Sequence, residues 1–418
     1  MKFIHAADLH IESPYKGVRA LNKRLGDALI QHGVKAYEQL IQQCIEHEVD
    51  FLVIAGDSFD SASGSLAAQY RFFKGLERLA QNNINVYVIC GNHDPLNQWA
   101  KNYKLPENVT LFEADEVQHH THTCKDKMTV EVYGVSYGER DESRNLAKKF
   151  KRNDAADFGL ALLHGNLNGN ENHANYCPFS MDDLRRSGMD YWALGHIHKR
   201  EVLHEEKPCV VYSGNIQGRH FNEADEKGCY LVDVDTNKNI SLQFFPLSKV
   251  VFQEKEESAS NLEEVSDLFS LLEDLRSQLL QEKNATLLRV RLTGNCSIYD
   301  TLSDQQALNE LIDSFNENND YSKNFVHLDN IVNATVPTFD LNEVKQSSDF
   351  MADLLQRFDE LDKHPEQASA LKKELLSEIK SSSIGSYIRS VDVEASALNE
   401  IINTARWKCI NGLYGKNN

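Results

Sequence analysis

Eight polar side chains, each at the end of a short apolar run, carry the chemistry open to this sequence: Asp8, His10, Asp57, Asn92, His93, His164, His196 and His198. They combine imidazoles, carboxylates and one amide oxygen. Such a donor set suits borderline to hard divalent ions such as Mn²⁺, Fe²⁺ or Zn²⁺ and lacks the thiolates of a structural zinc site. It is larger than one ion can use. Two ions roughly 3.5 to 4 Å apart need a shared anionic ligand, and Asp57, following Gly56 after a central apolar run, is the natural bridge. Adjacent side chains at a tight turn point in different directions, so Asn92 and His93 do not readily serve the same ion.

Each of these residues needs an element to aim it. The stretch 84–95 reads as a buried strand that stops at Gly91 with Asn92, His93 and Asp94 behind it. In an open α/β sheet, chemistry gathers just past the carboxyl ends of the strands. The same grammar precedes Asp8 (3–7), Asp57 (50–56), His164 (158–163) and His196 (191–195). Helical spacing over 21–47, with Leu25, Leu29, Val34, Tyr37, Leu40, Ile41 and Ile45, and again over 69–81, supplies the alternation of a layered α/β domain. From 108 onward short strands come more densely, over 109–112, 129–135, 158–163, 191–194, 209–212 and 228–234, and predict a second sheet packed on the first.

The chain of 418 residues predicts two or three domains. Its hydrophobic fraction of 41% and charged fraction of 26% are those of a soluble globular protein, and no apolar run reaches the roughly 20 residues of a membrane span. Asp8 and His10 interrupt the short apolar start before any cleavage-like region, so no signal peptide is expected and the compartment is the cytoplasm. The eight cysteines are scattered without a Cys-x-x-Cys pair and read as buried thiols. With 44 basic against 63 acidic residues the net charge is −19, which excludes a protein that coats nucleic acid by charge alone. A polyanionic substrate would need local help from bound cations or from Lys148, Lys149, Lys151 and Arg152, a run that otherwise reads as a solvated helix face.

A Glu-rich stretch over 252–260 reads as a linker. Beyond it, helical spacing over 262–280 and strands at 287–292 and 325–336 predict a small α+β unit. The remainder carries apolar positions at helical spacing: Met351, Leu354, Leu355, Phe358 and Leu361, then Leu371, Leu375 and Ile379, then Leu398, Ile401, Ile402 and Trp407. The expected domains are therefore 1–250, 260–340 and a helical tail over 341–418, part of whose apolar face could dock a partner.

In chain order, the segments Asp-x-His, Gly-Asp, Gly-Asn-His-Asp, His-Gly and Gly-His-x-His resemble the calcineurin-like metallophosphoesterases over about residues 1–245. The resemblance implies an α/β fold, a four-layer α-β-β-α sandwich with a smaller α+β cap domain and a helical C-terminal tail. It implies one divalent ion held by Asp8, His10, Asp57 and His198, and a second held by Asp57, Asn92, His164 and His196, Mn²⁺ ahead of Fe²⁺ or Zn²⁺. His93, beside a ligand, would be the proton donor of phosphoester hydrolysis, protonating the departing oxygen while the ions offset charge on the phosphoryl group. Within the family, residues 3–10, 55–60 and 213–223 look like the double-strand-break repair exonucleases of the SbcD-like branch, although position 60 is Asp where some members carry a His that positions the DNA phosphate. That branch implies DNA as substrate, a homodimer formed through helices near the start of the domain, and a coiled-coil SMC-like ATPase on which the tail docks.

Two other functions stay open. A phosphodiesterase or phosphatase acting on small nucleotides or phosphoproteins suits the strong acidity, and a scaffold subunit for the ATPase with weak hydrolysis suits the tail. Arg219 and His220, in a glycine-bounded turn, could touch a phosphate, and Arg219 could equally pair with Glu223. His119, His120 and His122 lie in a polar stretch, 118–127, that reads as a solvated hairpin between two strands rather than as a further metal site; nearby Cys124 does not alter that reading.

Overall fold

A computed structural model describes residues 1–60, 65–98, 104–153, 155–167, 176–224, 226–338 and 350–381, together with 402, 405, 406 and 409. The chain divides into two compact units, one of Met1–Glu254, Ser277–Leu288 and Asn318–His327, the other of Lys255–Arg276, Arg289–Glu317 and Leu328–Asn418.

The first unit contains two six-stranded sheets. In one, β1 (Lys2–Ala6), β2 (Phe51–Ala55), β3 (Asn85–Ile89) and β4 (Val109–Leu111) run parallel in that order. Beyond β1, the strands β11 (Gly228–Val234) and β12 (Ile240–Pro246) are added antiparallel. In the other sheet, β6 (Thr129–Gly134), β7 (Phe158–His164), β8 (Tyr191–Gly195) and β10 (Cys209–Tyr212) are parallel neighbours. Its edges are the antiparallel strands β5 (Gln118–Thr123) and β9 (Glu201–His204).

Period-two alternation assigns each strand's side chains to two different cores. Phe51 and Val53 of β2, Tyr87 and Ile89 of β3, Leu160 and Leu162 of β7, and Tyr191 and Ala193 of β8 share the core between the sheets. Leu52, Ile54, Val86 and Val88 point the other way and pack on Tyr37, Leu40, Ile41 and Phe72. Those residues come from α2 (Lys23–Glu46) and α3 (Leu66–Gln81), which follow the short α1 (Lys16–Leu21). On the far side, Ala161, Leu163, Trp192 and Leu194 pack on Phe150 and on Leu184 of α4 (Met181–Arg186). The layers are thus α-β-β-α. The single helix predicted over 21–47 is interrupted at Asn22, which is extended and whose side chain accepts the Leu25 N–H, capping α2.

A third sheet has three strands in the order β13 (Val250–Ser258), β14 (Ala285–Cys296), β15 (Val326–Pro337). The remaining helices are α5 (Val265–Leu279), α6 (Tyr299–Ser303), α7 (Gln305–Asn316), α8 (Phe350–Lys363) and α9 (Pro365–Ser381). In the second unit Leu268, Leu272 and Leu275 of α5 are buried, and the Arg276 guanidinium lies over the Phe315 ring of α7 at 3.5 Å. Among the tail positions Leu355 is buried and Leu371 exposed; Leu398, Ile401 and Trp407 lie outside the described residues.

Three readings of the sequence need correction. The polar stretch 118–127 is not wholly a hairpin: Gln118–Thr123 is strand β5, paired from Gln118↔Gly134 to Thr123↔Thr129, and its edge position tolerates the histidines that hid it. The Glu-rich linker is strand β13, whose outer half exposes Glu254 and Glu256, so solvated charge masked the alternation. The basic run is not a helix face. Leu146–Lys149 is a 3₁₀ turn, Arg152 turns inward onto Asp190 at 2.5 Å, and Lys149 pairs with Glu116 at 3.2 Å.

Candidate metal centre

The parallel order of β1, β2 and β3 brings the loops after them to one edge, and β7 and β8 deliver theirs from the second sheet, where His164 is in register with Gly195. Backbone bonds continue past the strand ends, from the Asp8 N–H to the Gly56 carbonyl and from the His10 N–H to the Asp57 carbonyl, each 3.1 Å. Asp8, His10, Asp57 and His196 have φ of +50°, +41°, +51° and +95°, a region that costs a side-chain residue on the order of 1–3 kcal/mol and persists where the surroundings impose it. Two glycines are required by close approach. A Cβ at Gly91 would lie 2.2 Å from Asp57 Oδ1, and one at Gly195 would lie 2.0 Å from the Ala55 carbonyl oxygen.

The side chains form two groups of donors. In the first, His10 Nε2 and His198 Nε2 are 3.1 Å apart, with Asp8 Oδ1 4.0 Å from His198 Nε2 and Asp57 Oδ2 3.8 Å from His10 Nε2. In the second, His164 Nε2 is 3.5 Å from the same Asp57 Oδ2 and 3.1 Å from Asn92 Oδ1, which also meets His196 Nδ1 at 3.1 Å. Asp57 Oδ2 faces both groups. Its other oxygen, Oδ1, accepts the His93 N–H at 2.9 Å, and both oxygens of Asp8 accept the His196 N–H at 3.1 Å.

Outer contacts set the tautomers. His164 Nδ1–H donates to the Ala55 carbonyl at 2.9 Å and His198 Nδ1–H to Glu223 Oε1 at 2.6 Å, while His10 Nδ1 is 3.4 Å from Asp60 Oδ1. The His198 bond leaves its Nε2 lone pair turned on His10 Nε2 at 3.1 Å, while His10 Nδ1 is buried without a hydrogen-bond partner, an arrangement that suits a proton or a cation between the two inner nitrogens. Burial of Asp8 pushes its carboxyl above the usual range. Burial acts in the same direction on Asp57, but the imidazoles of His164, His10 and His93 together outweigh it and hold Asp57 far below that range. His164, disfavoured as a cation by burial, is pushed up to about 9 by Asp57. Burial, helped by Arg219, lowers His10 to about 3. Among the described residues no lysine or arginine pairs with Asp8 or Asp57, so two buried carboxylates meet only imidazoles and backbone N–H groups. Donors of this kind and placement fit divalent cations.

All eight residues singled out from the sequence lie in this cluster or against it. His93 stands at its edge, half-buried, its ring 5.0 Å from that of His10 and its Nδ1 3.2 Å from the Asp60 carbonyl. Arg219 is drawn to both carboxylates near it, with Nη1 donating to Asp60 Oδ1 and Nε 3.9 Å from Glu223 Oε1. His220 is exposed, with Nε2 3.2 Å from the same Glu223 oxygen. Two residues named in the sequence have roles there that it did not reveal. Glu223 is buried, and its Oε2 takes the Asn215 amide at 2.8 Å and the Arg219 N–H at 2.9 Å. Asp94, fully buried, accepts the Gly91 N–H at 2.9 Å and the Ser58 N–H at 2.7 Å, tying together the loops after β2 and β3. The usable signals were the Asp closing Gly-Asn-His-Asp and the Glu closing the 213–223 turn.

A separate group, Asp50, His122 and Cys124, lies at the amino ends of the strands. Asp50 spends its two oxygens on the Lys2 and Lys125 N–H groups, each at 2.8 Å, and His122 meets the Tyr87 hydroxyl at 3.2 Å, which makes this a structural tie.

A family profile described as calcineurin-like phosphoesterase matches residues 1–200. The chain is 37% identical over 327 residues to the metallophosphoesterase YhaO of Bacillus subtilis, covering 78% of this chain and 80% of that one. It is 24% identical over 251 residues to the DNA double-strand break repair protein Mre11 of Methanocaldococcus jannaschii, covering 57% and 63%. To the protein of that name in Methanopyrus kandleri it is 24% identical over 271 residues, covering 58% and 56%.

Proposed function

The chain belongs to the calcineurin-like metallophosphoesterase family, and from that premise we propose that it is a two-ion phosphodiesterase acting on DNA, a nuclease of the double-strand-break repair type. The observation that carries the two-ion reading is Asp57 Oδ2, 3.8 Å from His10 Nε2 and 3.5 Å from His164 Nε2, facing two groups of donors at once. Asp8, His10, Asp57 and His198 would hold one ion, and Asp57, Asn92, His164 and His196 the other. Bound there, two Mn²⁺-like ions would supply Lewis-acid activation of water and of the phosphoryl group.

The chain's own groups do the rest. His93, held by its backbone at Asp57 and by its ring at the Asp60 carbonyl, would protonate the departing oxygen. Asp60, Arg219 and His220 border the centre, where they would meet the phosphate backbone. Support for DNA comes from the Mre11 relatives, which are DNA double-strand break repair proteins, and from the α+β unit with its tail. In this reading 1–250 is the nuclease domain and 260–340 the DNA-recognition cap. The tail over 341–418 would dock a coiled-coil SMC-like ATPase, and two copies would work as a homodimer in the cytoplasm. Among the described residues no helix is long and apolar enough to cross a membrane.

The test is release of nucleotides from linear duplex DNA by the full chain with Mn²⁺, with and without an ATPase partner. A chain that hydrolyses bis(p-nitrophenyl) phosphate but never DNA would move the assignment to small nucleotides or phosphoproteins, the reading that the net charge of −19 favours.

A further inference from the structure

We propose that Arg219 is a positioning residue for one of the two ions, acting through Asp60 and Glu223 on the imidazoles of His10 and His198. The inference rests on the two-ion reading above and adds to it an unequal support of the two sites.

His10 and His198 share one arrangement. Their inner nitrogens, Nε2, face each other at 3.1 Å, and a carboxylate lies behind each ring: Glu223 Oε1 bonds His198 Nδ1 at 2.6 Å, and Asp60 Oδ1 lies 3.4 Å from His10 Nδ1 without closing a hydrogen bond. A carboxylate behind a ligating histidine fixes its tautomer and ring orientation and raises its basicity. The two carboxylates are themselves joined by one side chain. Arg219 Nη1 donates to Asp60 Oδ1, its Nε lies 3.9 Å from Glu223 Oε1, and its backbone N–H donates to Glu223 Oε2 at 2.9 Å. Asn215 holds the same Oε2 at 2.8 Å, so Glu223 cannot swing without breaking several bonds.

The ligands of the other ion are oriented differently. His164 is oriented by a main-chain carbonyl, Ala55, and Asn92 Oδ1 by the imidazoles of His164 and His196. Removing the guanidinium would leave Asp60 without its cation and free to leave His10, while Glu223, still held by Asn215 and by the main-chain N–H of residue 219, would face His198 with its charge no longer offset. A lysine could not replace it fully, because one ammonium lacks the planar fork that reaches two carboxylates at once. Arg219 and Asp60 therefore have a duty toward the protein besides any contact with substrate.

The experiment titrates the chelator-stripped full chain with Mn²⁺ alone, reading binding heats and the electron paramagnetic resonance spectrum. The parent chain should take up two ions and show the signal of a spin-coupled pair. Arg219→Gln and Glu223→Gln should each weaken one binding event by about 10–100-fold and leave the other within about twofold. At low Mn²⁺ they should show the six-line spectrum of an isolated ion, and Arg219→Lys should recover part of the loss. Asn92→Ala should weaken the complementary event. Should Arg219→Gln fail to fold, Glu223→Gln, which keeps shape and one acceptor oxygen, decides the matter. Equal weakening of both events, or of neither, overturns the proposal while leaving the two-ion centre standing. A parent chain that binds no Mn²⁺ overturns the centre itself, and the clamp with it.

Discussion

Asp57 holds His93 by the main chain: Oδ1 accepts the His93 N–H at 2.9 Å while Oδ2 faces the donor nitrogens of His10 and His164. The carboxylate that would be shared by two ions also fixes where the neighbouring imidazole begins. Because the bond is to the peptide and not to the ring, the ring can be removed without loosening Asp57.

His93→Ala should therefore retain both Mn²⁺ ions at parent affinity and lose about 10²–10⁴-fold in turnover, the usual worth of a general acid. Metal content and kcat measured on one preparation check this. A variant of parent rate would end the assignment of His93 as acid.

Asp57→Ala should lose both ions together, since its carboxylate faces both donor groups. Equilibrium dialysis with Mn²⁺ reads the stoichiometry. Two ions retained at parent affinity would show that the groups do not depend on a shared ligand.

Gly91→Ala sets a Cβ against Asp57 Oδ1 and, at 2.8 Å, against His164 Nε2. Overpacking of this kind costs about 1–3 kcal/mol, and here it should also weaken Mn²⁺ binding. Gly33→Ala, in α2 with nothing within 4 Å of the added carbon, should instead stabilise by up to about 1 kcal/mol. Urea midpoints of the two variants should move in opposite directions.

His5 is buried beside the Tyr191 hydroxyl at 3.0 Å, and burial lowers its pKa from 6.5 to about 3. The folded chain keeps this imidazole neutral, whereas the unfolded chain protonates it below about pH 6.5. Its stability contribution is thus complete above pH 6.5 and is lost as pH falls toward 3, by at most about 1.4 kcal/mol per pH unit. His5→Gln, which can still meet Tyr191, should flatten that loss. The difference between the two urea midpoints across pH 4.5–7.5 isolates this residue from the other histidines.

The sandwich was legible because its strands are buried on both faces and end abruptly in polar residues; Phe51–Ala55 followed by Gly56 and Asp57 is the clearest case. The convergence of Asp8, Asp57 and Asn92 follows from parallel β1, β2 and β3. Polar strands were harder to read. β5 carries three histidines in six residues and β13 ends in alternating charge, so neither offers the apolar period on which the reading relied. Glu223 was named only as a possible partner of Arg219, because its bond to His198 joins residues 25 apart that only the folded chain brings together. Asp94 lay inside a quoted motif, yet its two bonds to backbone N–H groups appear only once the loops after β2 and β3 meet.

The donors run from Asp8 to His198, and neither donor group is complete without β8 and the turn that follows it. A nascent chain must leave the ribosome almost to residue 200 before either group can close. Pairings of such long sequence separation also form slowly. Assembly of the donor groups is therefore a late event in the life of the polypeptide, and a copy that stops short of the turn after β8 has no place for either ion.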